Sequence, residues 1–148
     1  MARILLLNGP NLNLLGTREP ALYGGETLAS VERRAAAVAA EAGHELIAFQ
    51  SNAEHLLIER VQGAPGEGIG CLILNAGGLT HTSVALRDAV LAVRLPLIEV
   101  HISNIHAREP FRRRSLFSDI AAGSIVGLGP FGYELAVRAA ARLLVPAG

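Results

Sequence analysis

ARILLLNGPNLNLLG, residues 2–16, passes from four consecutive aliphatic side chains to three asparagines within a few positions. A strand with one wet face alternates apolar and polar residues, whereas an unbroken run such as Ile4 to Leu7 reads as a strand covered on both faces. Residues 3–7, 45–49, 71–74, 96–100 and 124–128 share this character, and helical patterns separate them. The first helix is predicted over 28–42, stopped by Gly43. The second opens with Ser51-Asn52-Ala53-Glu54, where serine followed three places later by glutamate has the form of a capping box. The third carries Ser83 to Val93, and the last runs from Gly132 to Leu144 before Pro146. Residues 63–70, GAPGEGIG, read as a surface turn, since a phosphate-cradling loop needs a strand before it and a helix after it. A β-α repeat of this kind predicts an α/β three-layer fold with five parallel strands in the order 2-1-3-4-5. At 148 residues the whole chain, 1–148, is expected to be one domain.

Composition narrows the chemistry. The thirteen basic residues balance thirteen acidic ones, so no strong surface field invites nucleic acid or an anionic membrane. An apolar fraction of 51% in a short chain suggests that copies of the chain cover part of one another. No apolar run is long enough to span a bilayer or to serve as a signal peptide, which points to a cytoplasmic protein. Cys71 is the single cysteine and, at the head of an aliphatic run, reads as a buried, inert thiol. All thirteen basic residues are arginine. Without lysine there is no imine with a carbonyl substrate and no phosphate loop of the Gly-Lys-Ser/Thr type.

Ligands of open parallel sheets sit beyond the carboxyl ends of the strands where the order reverses, here between the first and third. Polar residues crowd three adjacent ends. Asn8, Asn11, Asn13, Arg18, Glu19 and Tyr23 follow the first strand, NAGGLTHTS (75–83) the third, and EVHISNIHAREPFRRRS (99–115) spans the end of the fourth and the loop after it. After the second strand stands only a helix cap, and after the fifth only GLGPFGY. Glu99 and His101 are two apart on one strand and leave on the same face. A carboxylate there orients the imidazole and favours its charged form, making His101 a candidate general acid; a purely structural pair is the alternative. Tyr23 serves as a base near neutrality only if arginines such as Arg18, Arg108 and Arg112 stabilise its phenolate by about 4 kcal/mol. A loop anchor, with Arg18 paired to Glu19, is the bland alternative.

The blocks NGPNLNLLGTREPALYG (8–24), LNAGGLTHTSVALRDA (74–89) and IEVHISNIHAREPFRRRS (98–115) resemble the signature segments of type II 3-dehydroquinate dehydratases. The resemblance covers nearly the whole chain. It implies a flavodoxin-like fold and the loss of water from 3-dehydroquinate to give 3-dehydroshikimate, in aromatic biosynthesis or in quinate breakdown. The other dehydratase type works through a lysine imine, which a lysine-free chain cannot form. Carried over by motif, Tyr23 takes the proton beside the ketone, with Arg18 and Arg108 holding it as phenolate. Asn11, through a water, steadies the enolate oxygen, and His101, oriented by Glu99, protonates the departing hydroxyl. Asn75 with the backbone amides of Ile102 and Ser103 holds the substrate carboxylate, while His81 and Arg112 bind ring hydroxyls. The resemblance also implies a dodecamer of four trimers in which Asp88 enters a neighbouring site; spacing alone makes Asp88 a solvated charge. No metal and no cofactor are implied.

Asn75 is followed by Ala-Gly-Gly-Leu, where many members carry Pro-Gly-Ala and an aromatic, a departure that bears on the shape of that loop. Residues 16–25 are expected to act as a lid, so that protease nicking there falls when a substrate analogue binds. The alternative function is a non-enzymatic flavodoxin-like binding module. A receiver, however, needs acidic residues where Asn8 stands, and a flavin carrier needs a hydroxyl-rich loop where NGPNLNLLG stands.

Overall fold

Side chains alternate across a strand, so Ile4 and Leu6 face one layer of helices while Leu5 and Leu7 face the other, all four fully buried. The computed structural model describes residues 1–17 and 25–144. Its five strands are β1 (Arg3–Asn8), β2 (Glu45–Gln50), β3 (Ile69–Asn75), β4 (Leu97–His101) and β5 (Gly123–Val126). They form one parallel sheet in the order β2-β1-β3-β4-β5, as the repeat predicts. The helices are α1 (Leu28–Glu41), α2 (Glu54–Gly63), α3 (Val84–Val93) and α4 (Phe131–Leu143). Val31, Ala35 and Val38 of α1 and Tyr133, Ala136 and Val137 of α4 pack with Ile4, Leu6, Ile73 and Val100. Leu57 and Val61 of α2 and Leu86, Ala89 and Val90 of α3 pack with Leu5, Leu7, Leu72 and Leu74 on the opposite face. Each buried Val, Leu or Ile among these contributes about 2 kcal/mol of transfer free energy before entropy is counted. No helix among the described residues is long and apolar enough to cross a membrane.

The helix starts differ from the sequence reading in one instructive place. Ser51 does not cap α2. Its backbone N–H donates to the Asn8 carbonyl at 3.1 Å, continuing the β1–β2 ladder, and so holds it in strand register. The helix starts after Ala53, which offers no side-chain cap, and the Ser51 hydroxyl instead accepts from the Ala53 N–H at 2.9 Å. A reciprocal capping box does form at α1, between Thr27 and Ser30, with serine in the place usually held by glutamate. β3 begins at Ile69, two residues before the aliphatic run, because the glycine-rich turn ends at Gly68 in the left-handed region with φ 74.

Two close approaches lock the β1 and β3 ends together. A Cβ on Gly9 would lie 2.3 Å from the Ala76 carbonyl oxygen, and one on Gly77, at φ +59, would lie 2.8 Å from that of Pro10. Only glycine lets the two loops run this near each other. The Gly9 N–H meanwhile donates to the Asn75 carbonyl at 2.8 Å.

Candidate active site

Asn8 pairs in register with Asn75, and Glu99 with Ser124, so the polar strand ends lie side by side. Above them opens a cleft of about 670 Å³. Asn11, Asn75, His81 and His101 line it, together with Ile102, Ser103, Arg108 and Arg112; Pro10, Leu12, Leu15 and Phe111 supply apolar wall. Tyr23, Arg18 and Glu19 lie outside the described residues, as does most of the stretch read as a lid. Asp88 lies exposed on α3 away from this cleft, in a row with Val84 and Leu91, which are 57% and 48% exposed.

Glu99 is 1% exposed and is the most heavily bonded side chain of the site. His101 Nε2 donates to its Oε2 at 2.6 Å, the Ser115 hydroxyl donates to the same oxygen, and Ser118 and Ser124 donate to Oε1 at 2.5 and 2.8 Å. Burial pushes the carboxyl pKa up, but the hydrogen bonds from His101, Ser115 and Ser118 outweigh it and bring the value to about 2. Glu99 is therefore a fixed anion at neutral pH. Since an ionised carboxylate only accepts, His101 carries a proton on Nε2 and keeps Nδ1 free of protein partners among the described residues. The segment that supplies Ser115 and Ser118 is braced from α3: Arg87 donates to Asp119 through both terminal nitrogens, at 2.5 and 2.9 Å, and to the Leu116 carbonyl at 2.8 Å.

This ionisation has a consequence for stability. A carboxyl whose folded pKa lies below the ordinary 4.5 stabilises the native state above that ordinary value and loses the contribution as pH falls towards the folded value. Unfolding free energy, measured by urea titration, is expected to fall by on the order of 2–3 kcal/mol between pH 5 and pH 2 on account of Glu99. Glu99→Gln flattens that part of the profile; an unchanged acid slope in the variant would contradict the assignment.

The rest of the wall is equally defined. Asn11 sits at φ 72, a left-handed position that asparagine tolerates, and its N–H is held by Asn52 Oδ1 at 2.9 Å. Asn52, in the segment after β2 read as nothing more than a helix cap, is thus part of the site's frame. His81 Nδ1 lies 2.7 Å from the Arg114 carbonyl; a carbonyl only accepts, so Nδ1 bears the proton and Nε2 is left to a ligand. Arg108 donates to the Ser103 hydroxyl at 2.6 Å, and the Arg112 guanidinium stands 5.2 Å from the Phe111 ring centre. Asn75 spans two partners: its Nδ2 donates to the Tyr133 hydroxyl at 2.9 Å, and its Oδ1 accepts from the Gly77 N–H at 3.2 Å. Tyr133 received no role from the sequence. It is fully buried, and burial, the largest effect, pushes its pKa above the ordinary 10. Cys71 is likewise buried, its thiol pushed up to about 12.

A doubly wound parallel sheet that holds a buried carboxylate–imidazole couple beside arginines and carboxamides at its switch point defines an α/β protein with an acid–base site. The family model described as dehydroquinase class II matches residues 2–141, and the chain belongs to that family. The chain is 62% identical over 143 residues to a 3-dehydroquinate dehydratase of Methylococcus capsulatus, with 97% of each chain covered. It is 61% identical over 140 residues to one of Marinobacter nauticus, covering 95% of this chain and 96% of that one. Among solved structures, the type II dehydroquinase of Propionibacterium acnes superposes with a TM-score of 0.89 at 38% identity, covering 96% of this chain and 97% of that one.

Proposed function

We propose that the chain is a type II 3-dehydroquinate dehydratase, a hydro-lyase of the shikimate pathway that converts 3-dehydroquinate to 3-dehydroshikimate and water. The observation that carries the mechanism is the Glu99–His101 couple opening onto the cleft. With Glu99 anionic, His101 protonated on both nitrogens has one proton, on Nδ1, to give. In this reading the Tyr23 phenolate, held by Arg18 and Arg108, removes the proton from the carbon next to the ketone. The electron pair of that C–H bond passes into an enolate, whose oxygen Asn11 steadies through a water. Collapse of the enolate breaks the C–O bond, and the His101 proton leaves with the hydroxyl as water. The tyrosine proton then exchanges to solvent and the imidazole takes one up, so the cycle closes with no net change in the protein. Asn75 and the Ile102 and Ser103 amides hold the substrate carboxylate, and His81 and Arg112 hold ring hydroxyls. A non-enzymatic module is the alternative; it accounts for the buried carboxylate as structure, but not for an imidazole whose Nδ1 is free of protein partners among the described residues at the edge of the cleft.

The test is direct. Purified protein added to 3-dehydroquinate is expected to raise the ultraviolet absorbance of the conjugated enone. No rise at any pH would remove the assignment.

The working form in this reading is a cytoplasmic dodecamer, with Asp88 of one copy reaching the cleft of another. The Val84–Asp88–Leu91 row supports it, since two half-exposed aliphatics flank the carboxylate on one helix face. Light scattering is expected to give the mass of twelve chains, and Asp88→Ala to raise KM; a monomeric, fully active protein would contradict this arrangement.

A further inference from the structure

Beneath the cleft three buried side chains from three elements join end to end: Asn8 closes β1, Asn75 closes β3, and Tyr133 lies in the first turn of α4. Tyr133 and Asn8 are 0% exposed and Asn75 is 4%. The direction of this chain of bonds is fixed by chemistry. The Gly77 N–H can only donate, so the Asn75 oxygen faces Gly77 and its NH₂ faces Tyr133. The tyrosine oxygen accepts from Asn75, and its single hydrogen goes to Asn8 Oδ1 at 2.6 Å. Asn8 accepts it even though its own Nδ2 is left buried without a partner among the described residues. Asn75 Nδ2 carries two hydrogens; one is committed to Tyr133, the other is uncommitted among the described residues, and Asn75 lines the cleft.

We propose that Tyr133 is a positioning residue that clamps the Asn75 carboxamide from below, so that its second N–H is presented to the substrate's carboxylate. This rests on the reading that Asn75 binds that group. The clamp acts on rotation of the terminal amide, whose torsion is broad and soft when nothing holds it. Gly77 restrains one end through a bond of 3.2 Å; Tyr133 restrains the other through a shorter one of 2.9 Å, itself anchored on β1. The Gly77 N–H polarises the Asn75 carbonyl and so strengthens its amide N–H donors, while the bond to Tyr133 fixes which of the two faces the cleft. The carboxylate sits on the carbon that loses the hydroxyl, but its charge does not change as the enolate forms. A hydrogen bond to it is therefore made in ground and transition states alike, and the clamp shows in KM rather than in kcat.

Tyr133→Phe keeps the ring and removes only the hydroxyl. The expected result is a KM for 3-dehydroquinate raised about tenfold, the size of one hydrogen bond to a charged group, with kcat within about twofold. In an Asn75→Ala background the same change is expected to add nothing further to KM. A lowered melting temperature with unchanged KM, or KM effects that multiply in the double variant, would overturn the proposal. If Tyr133→Phe does not fold, Asn8→Ala, which removes the acceptor that orients the hydroxyl, is expected to raise KM about threefold at unchanged kcat, and no rise would count the same way. The two levels fail separately: a wild-type protein that forms no enone sinks the functional reading, whereas an active wild type with an unmoved KM in the variant sinks only the role of Tyr133.

Discussion

Tyr23→Phe is expected to lower kcat by about a thousandfold or more and to leave KM within about threefold, because in the proposed mechanism it removes the group that starts the reaction while sparing those that hold the substrate. That the base is a phenolate is what the resemblance implies; which tyrosine it is follows by elimination. The chain has two tyrosines and no lysine. Tyr133 is sealed, its hydroxyl is bonded to Asn75 and Asn8, and burial raises its pKa, so it cannot act as a base on a molecule in the cleft. A phenolate base must then be Tyr23, whose own position lies outside the described residues. Its ionisation near neutrality needs a shift of about three pH units, or about 4 kcal/mol. Arg108 lines the cleft, and among the described residues its side chain is bonded to the Ser103 hydroxyl and to no carboxylate. Initial rates of enone formation check the prediction; near-normal turnover in the variant would remove tyrosine as the base.

His101→Asn is the second large effect. Loss of the general acid is expected to lower kcat by about a thousandfold, since expulsion of hydroxide without protonation is the harder route. Glu99→Gln retains a side chain of the same shape but removes the charge that the imidazolium needs, and is expected to lower kcat by a smaller factor of about ten to a hundred. The order of the two variants matters. If Glu99→Gln were as damaging as His101→Asn at every pH, the carboxylate would be taking part in the chemistry itself rather than orienting the ring. Rates across pH 5 to 9 for both variants decide this.

Much of the architecture was legible because its cause is local. Unbroken aliphatic runs announce strands covered on both faces, and Ile4 to Leu7 splits between the two helix layers as that reading requires. The Glu99–His101 contact was legible for the same reason, since two residues on one strand face need no tertiary information. The serine cage was not. Ser115, Ser118 and Ser124 reach Glu99 from 16, 19 and 25 residues along the chain, and a serine among loop residues carries no mark of what it will touch. Only the β4–β5 register, which sets Ser124 opposite Glu99, could have hinted at one of them. Tyr133 and Asn8 are 125 residues apart, and their bond exists only once β1 and α4 are stacked. Ser51 misled for a different reason: its pattern matched a cap, but a ladder bond to Asn8 outcompeted the helix for its backbone.

In the proposed reaction a base and an acid act in succession through an enolate. Incubation of His101→Asn with 3-dehydroquinate in deuterium oxide, followed by mass analysis of the recovered substrate, tests this most directly. Deuterium entering at the carbon next to the ketone, with little enone formed, is the required result. Recovered substrate free of deuterium, from a variant that is folded and binds it, would mean that proton removal does not precede loss of water, and would contradict the mechanism.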